Sequence, residues 1–329
     1  MNRRETMVCL LALGAGSCSR HVLAQSPQAS RRLARLGWSN PDSEKAGDEG
    51  FLRELEKLGW IVGRNLTVDT VYANGEVARM DALAADVVAL QPDVIIVGNA
   101  PGALALQRAT RTIPVVFAGV VDPVGVGLIK SLSRPGGNVT GVAASFGYET
   151  TAKRVQLLKE LLPRARLLAV MFSPLEPDNL KLLDEYGRAA RQFGLSLMEV
   201  SAGSATDLDA AFAGLQRIRP DAVVVLGNAV TLTHRKVICE RLAAAKIPSM
   251  SGYTVIVEAG CLFGYLSLIG DYAKEQARYV DQVLRGANPA DLPVTQPTRF
   301  ELVVNAKTAR TLGLVVPQTL LMRADRLIE

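Results

Sequence analysis

The segment Pro92-Asp93-Val94-Ile95-Ile96-Val97-Gly98-Asn99-Ala100-Pro101-Gly102 decides how the chain folds. A continuous Val/Ile run between turn residues suits a strand buried on both faces, as in a parallel sheet covered by helices. Gly98 lets the chain bend sharply, and Pro101 suits a first helical turn, where its missing N–H would be unpaired anyway. The opening amides of that helix face whatever lies beyond the strand end and favour a polar or anionic group. The phrase recurs at 220–229 (PDAVVVLGNA), with one extra residue before Gly-Asn-Ala. Downstream, Ile113-Pro114-Val115-Val116-Phe117 is echoed by Ile247-Pro248-Ser249-Met250. Two matches in the same order imply two similar α/β halves.

Working outward, the first half reads as strands near 32–38, 66–72, 94–97, 113–118 and 139–143, with amphipathic helices between them. Asp122 is expected to cap a further helix with Pro123 in its first turn, ended by Pro135-Gly136-Gly137-Asn138. The second half continues with strands near 166–172, 195–200, 222–226 and 247–250. This β-α-β alternation predicts two doubly wound, Rossmann-like α/β lobes. Residues 145–150 are the expected crossing between them. The C-terminal strands near 262–268 and 300–304 and the helix at 271–284 have no owner from periodicity alone. The working division is 30–144 plus about 260–290 for lobe 1, and 145–259 plus about 291–329 for lobe 2.

The chain has 329 residues, 49% hydrophobic and 21% charged, as in a globular protein with room for two cores. Aromatic residues are only 5%, which argues against a nucleic-acid stacking platform. The formal charge is +5, but Arg3, Arg4 and Arg20 against Glu5 place two of those charges near the N-terminus. No Lys/Arg run is longer than a pair, so no nucleic-acid footprint is present.

Residues 1–24 read as a secretory signal: a basic start, a short apolar run from Met7 to Gly16, and a small-residue cleavage site ending at Ala24. A lipoprotein anchor at Cys18 is the rival, but Ala15 stands where such a signal has Leu. Glu5-Thr6 fits twin-arginine export poorly. The expected location is therefore periplasmic. Downstream of the leader only Cys239 and Cys261 remain; an oxidised pair and two buried thiols are both open readings.

Open parallel sheets bind ligands beyond the carboxyl ends of their strands. That rule selects Ser39, Asn40, Asn99, Ala100, Pro101 and Asp122 in the first half. In the second half it selects Ser173, Asn228 and Tyr253. Each also has a structural reading: Asp122 as a helix cap, Asn99 and Asn228 as left-handed turn residues, Ser39 and Ser173 as turn formers, Tyr253 as core. Together they would face one crevice between lobes. The amides after Gly98 are expected to hold a carboxylate or other polar end, and Asp122 an amine. Catalytic machinery is scarce: the sequence lacks a Gly-x-Ser-x-Gly elbow, a P-loop, Cys/His metal spacing and a paired-carboxylate motif. No cofactor or metal is expected, and no enzyme activity.

Four blocks carry a resemblance to a known family. They are 58–66 (LGWIVGRNL), 122–128 (DPVGVGL), 134–141 (RPGGNVTG) and 296–305 (QPTRFELVVN). With them the chain resembles the substrate-binding proteins of ABC transporters, of the tryptophan/tyrosine uptake type, with the type 1 periplasmic binding protein fold. The resemblance spans nearly the whole chain after the leader. It implies lobes joined by crossing strands, closing on a small polar ligand such as an amino acid. It also implies a membrane permease as partner. A monomeric state and no nucleic-acid partner are expected. By position, Ser39, Asn99-Ala100, Asp122 and Ser173 would line the pocket. Asn99 stands where the family often has Thr, and Gly227-Asn228-Ala229 where it often has an acidic or proline-rich loop, so ligand identity stays open. An exported sensor docking to a membrane receptor, or an exported enzyme on the same scaffold, are the alternatives.

Overall fold

A computed structural model describes residues 30–144, 148–267, 270–296 and 299–329. The expected signal segment and residues 145–147 of the expected crossing lie outside the described residues. The first lobe runs β1 (Arg31–Gly37), α1 (Pro41–Lys57), β2 (Leu66–Tyr72), α2 (Met80–Ala89), β3 (Val94–Val97), α3 (Ala100–Ala109), β4 (Val115–Val120) and β5 (Val139–Ala143). Its five strands lie in the order β2-β1-β3-β4-β5, each neighbouring pair parallel. The chain continues with α4 (Tyr148–Leu161), β6 (Leu167–Phe172), α5 (Pro177–Gln192), β7 (Ser196–Ser201), α6 (Asp207–Ile218) and β8 (Ala222–Val225). There follow α7 (Ala229–Thr233), α8 (Arg235–Ala244), β9 (Ser249–Ser251), α9 (Thr254–Glu258), β10 (Phe263–Ser267) and α10 (Gly270–Leu284). The chain closes with β11 (Phe300–Asn305), α11 (Ala306–Leu312), α12 (Gln318–Leu321) and β12 (Arg326–Ile328). The second sheet has the order β12-β11-β10-β9-β8-β6-β7, with only β10–β11 antiparallel.

The repeated phrases form the centres of these sheets. All four residues of β3 and all four of β8 are buried, as strands covered by helices on both faces must be. Burying one such Val or Ile side chain stabilises the fold by roughly 1.5–3 kcal/mol. The sheet orders reverse between β1 and β3 in the first lobe and between β6 and β8 in the second. These are the two switch points where a ligand crevice forms in such sheets.

Two expectations are corrected. Strand β10 pairs with β9 and β11, so residues 263–267 belong to the second sheet and not to lobe 1. Helix α10, from the same expected lobe 1 piece, packs against α1, β4 and β5 of the first lobe, and Trp60 Nε1 donates to Asp281 at 2.8 Å. The chain thus passes between lobes after Ala144, after Ser267 and again before β11, since Ala143 N still donates to Thr295 O of the first lobe's edge. The second correction concerns Asp122: hydrogen-bonded turns, not a helix, cover 123–127. Gly127 there has φ +74°, which an α-helix cannot accommodate.

Candidate functional site

A cavity of about 320 Å³ lies between the lobes, beyond the switch point of the first sheet and beside the segment that follows β9 in the second. From the first lobe it is lined by Arg35, Trp38, Ser39, Glu44, Gly98 and Gly119, among others; from the second by Leu232, Arg235, Gly252, Tyr253 and Val255. Tyr272 of α10 completes the aromatic lining. The volume and the mixture of aromatic walls with a few polar groups are those of a small-molecule site.

Close backbone approaches position the walls. Tyr253 lays its ring on Gly227, where a Cβ would fall 2.3 Å from the ring. Gly252 leaves room for the Arg154 guanidinium, which a Cβ would meet at 2.7 Å. Arg154 Nε donates to Tyr265 O at 2.9 Å, tying α4 to β10 behind this wall. On the opposite side Arg35, near the end of β1, forms ion pairs with both Glu44 and Asp48 of α1. The Tyr72 hydroxyl donates to Asp48 at 3.0 Å, and Ser39 N donates to Glu44. Burial pushes the carboxyls of Glu44 and Asp48 up, against the opposing pull of Arg35.

The lobes touch one another around the cavity. Ser39 Oγ and Thr233 Oγ1 lie 2.7 Å apart, Val121 N donates to Asp178 Oδ2 at 3.1 Å, and Asp122 pairs with Lys181. Two carboxyls are buried in this contact. Glu176 is 2% exposed and accepts from Ala229 N at 3.0 Å. Burial drives its pKa up to about 8; the amide of Ala229 pulls it down, and Asp178 adds to the rise. The Trp38 indole lies near enough to favour the Glu176 anion, yet its N–H reaches no partner with ordinary hydrogen-bond geometry. Asp178 is raised to about 6, again mainly by burial, and its Oδ1 has no partner.

Of the residues expected at the site, Ser39 and Tyr253 line the cavity. Asn40, Asn99 and Asn228 turn back on their own helices, accepting from Ser43 N, Gly102 N and Thr231 N. The neighbouring Gly98 lines the cavity, whereas Ala100 and Pro101 are the first turn of α3 and do not. Ser173 accepts from Leu175 N at 3.3 Å, a turn former at the tip of β6. Asp122 accepts from Gly125 N at 3.0 Å besides pairing with Lys181, which lowers its pKa against burial. It does not line the cavity, so the amine contact expected of it is not among those the cavity offers. The amide of Gly102 is likewise taken by Asn99, so the expected anion seat at α3 is partly filled from within.

Sequence reasoning missed Arg35, Trp38, Glu44 and Arg235 on the cavity wall, and Asn179 behind it. Asn179 joins the tips of β6 and β8: its Oδ1 accepts from Ser173 N and Asn228 Nδ2, and its Nδ2 donates to Gly227 O. A signal for the first wall was present. Glu44 and Asp48 stand four apart on one helical face, just after a strand that carries Arg35 near its end. Among the described residues no cluster of His, Cys, Asp and Glu could hold a metal ion, and no helix is long and apolar enough to cross a membrane. Cys239 and Cys261 are buried free thiols with sulfurs 3.3 Å apart.

A family model described as ABC transporter substrate binding protein matches residues 39–328. The chain is 27% identical over 293 residues to a tyrosine-binding protein of Clostridioides difficile (strain R20291), covering 87% of this chain and 82% of that one. A conserved domain protein of Vibrio cholerae superposes with a TM-score of 0.85 at 29% identity, over 91% of this chain and 99% of that one. An ABC domain in complex with L-Trp from Streptococcus pneumonia superposes with a TM-score of 0.84 at 25% identity, over 91% of this chain and 100% of that one.

Proposed function

This chain belongs to the ABC transporter substrate-binding protein family, and from that premise we propose that it is the extracytoplasmic solute-binding component of an ABC-type importer, closing its lobes on an aromatic amino acid. One observation carries the reading: the cavity lies between the two lobes, at the switch point of the first sheet, and is walled by Trp38 on one lobe and Tyr253 on the other. An indole or phenol ring between such walls gains apolar burial and ring–ring contact. The relatives that bind tyrosine or were crystallised with L-Trp supply the ligand class.

Closure is the mechanism. The ligand touches both lobes only when they are together, so its differential affinity shifts the open–closed equilibrium. Ser39–Thr233 at the cavity wall, with Val121–Asp178 and Asp122–Lys181 beyond it, hold the closed form. The closed shape is then what a membrane permease receives. The test is titration calorimetry of the purified chain against the twenty amino acids, with mass spectrometry of whatever co-purifies after denaturation. Micromolar binding of tryptophan or tyrosine is expected; no heat from any amino acid would overturn the assignment.

A further inference from the structure

The cavity walls differ in charge. On the first lobe, two carboxylates, Glu44 and Asp48, share the single guanidinium of Arg35, and all three are largely buried. Arg35 and Glu44 line the cavity. This wall therefore carries one carboxylate more than its cation neutralises, and burial holds Glu44 above the usual carboxylate range in spite of Arg35. A second cation is what the wall lacks. On the second lobe Arg235 lines the cavity from the start of α8, its Nη1 donating to Leu232 O at 2.6 Å. It forms no ion pair with any described residue. Asp122, Glu176 and Asp178 do not line the cavity.

We infer that the cavity takes its guest as a zwitterion in one orientation, with the ammonium against Glu44 of the first lobe and the carboxylate against Arg235 of the second. The inference rests on the amino-acid reading given above and assigns the two charge-selecting residues within it. Its physical basis is complementarity. An uncharged guest would shut the lobes over an unpaired guanidinium and a surplus carboxylate, both costly away from water. A zwitterion supplies the missing partner to each wall. Because the two charges are met by different lobes, only the closed form pairs both.

The experiment is calorimetry at pH 7 with L-tryptophan, tryptamine (no carboxylate) and 3-indolepropionate (no ammonium), on the wild-type chain, Arg235→Gln and Glu44→Gln. A charge-assisted hydrogen bond corresponds to about thirty-fold in affinity. Tryptamine and 3-indolepropionate should each bind the wild type about thirty-fold more weakly than L-tryptophan. Arg235→Gln should weaken L-tryptophan by about the same factor and leave tryptamine within about three-fold. Glu44→Gln should weaken L-tryptophan and tryptamine but spare 3-indolepropionate. Circular dichroism and thermal melting check that each variant folds. If Glu44→Gln fails to fold, the wild-type ligand series and Arg235→Gln still decide the matter. Equal loss of L-tryptophan and tryptamine in Arg235→Gln, or tryptamine binding the wild type as tightly as L-tryptophan, overturns the inference while the amino-acid reading stands. No binding of any amino acid overturns both.

Discussion

Replacing Glu176 by glutamine should remove the pH dependence of stability between pH 6 and pH 8. Glu176 is the N-cap residue of α5, buried where the lobes meet, with Ala229 N on one oxygen. Burial is the largest influence on its carboxyl and raises it from 4.5 to about 8. In the unfolded chain the group ionises at its ordinary value, so between those limits the native protein holds a proton that the unfolded chain has released. The native state binding more protons, stability falls as pH rises through this window, at up to about 1.4 kcal/mol per pH unit. The whole shift corresponds to about 5 kcal/mol. Asp178, raised from 3.8 to about 6, acts in the same direction but only in the lower part. The interval from pH 6 to pH 8 thus belongs to Glu176, and a loss of about 2–3 kcal/mol is expected there. Urea unfolding followed by tryptophan fluorescence, at fixed ionic strength, measures it. Glutamine keeps an acceptor for Ala229 N but cannot ionise, so Glu176→Gln should give a flat profile over those two units. A wild type as stable at pH 8 as at pH 6, or a variant that loses as much as the wild type, would refute the reasoning.

Three further substitutions probe other parts of the same construction. Gly227→Ala places a Cβ 2.3 Å from the Tyr253 ring, so the ring must move into the cavity; L-tryptophan affinity should fall at least about ten-fold by calorimetry. Lys181→Ala breaks the half-exposed pair with Asp122 across the lobes, worth about 0.5–1 kcal/mol. Ligand affinity should drop about two- to five-fold at low salt, and the difference should shrink at high salt. Gly141→Ala puts a Cβ 2.0 Å from Phe117 O at φ +148°, inside the β4–β5 ladder. It should cost about 3 kcal/mol or more, seen as a thermal midpoint lowered by several degrees, with ligand binding intact in the fraction that folds.

The architecture was legible because its cause is local. Val94–Val97 and Ala222–Val225 announce buried parallel strands by an unbroken apolar run, and Pro101 announces the helix behind the first. What periodicity could not show is pairing at long range. Nothing within 263–267 says that its neighbours are β9 and β11 rather than a first-lobe strand, because an edge or an inserted strand looks the same from inside. The run after Asp122 misled for a related reason: Asp-Pro opens helices and turns alike, and only the backbone of Gly127 decides between them.

The site was half legible, and the repeated Gly-Asn-Ala shows why. In both lobes the Asn is the most chemically conspicuous residue of the phrase, and in both it faces its own helix, Asn99 on Gly102 N and Asn228 on Thr231 N. Capping an otherwise orphaned amide favours that inward turn whatever the ligand. The residue of the phrase that matters for the cavity is the Gly, since it has no side chain. Gly98 lets the guest space reach the backbone, and Gly227 lets the Tyr253 ring lie flat against it. The charged walls then come from elements that the phrase does not contain, Arg35 with Glu44 from β1 and α1, and Arg235 from α8. A strand-tip rule therefore finds the right loops, while the charge at those loops is set by side chains that reach in from within a strand and from the neighbouring helices.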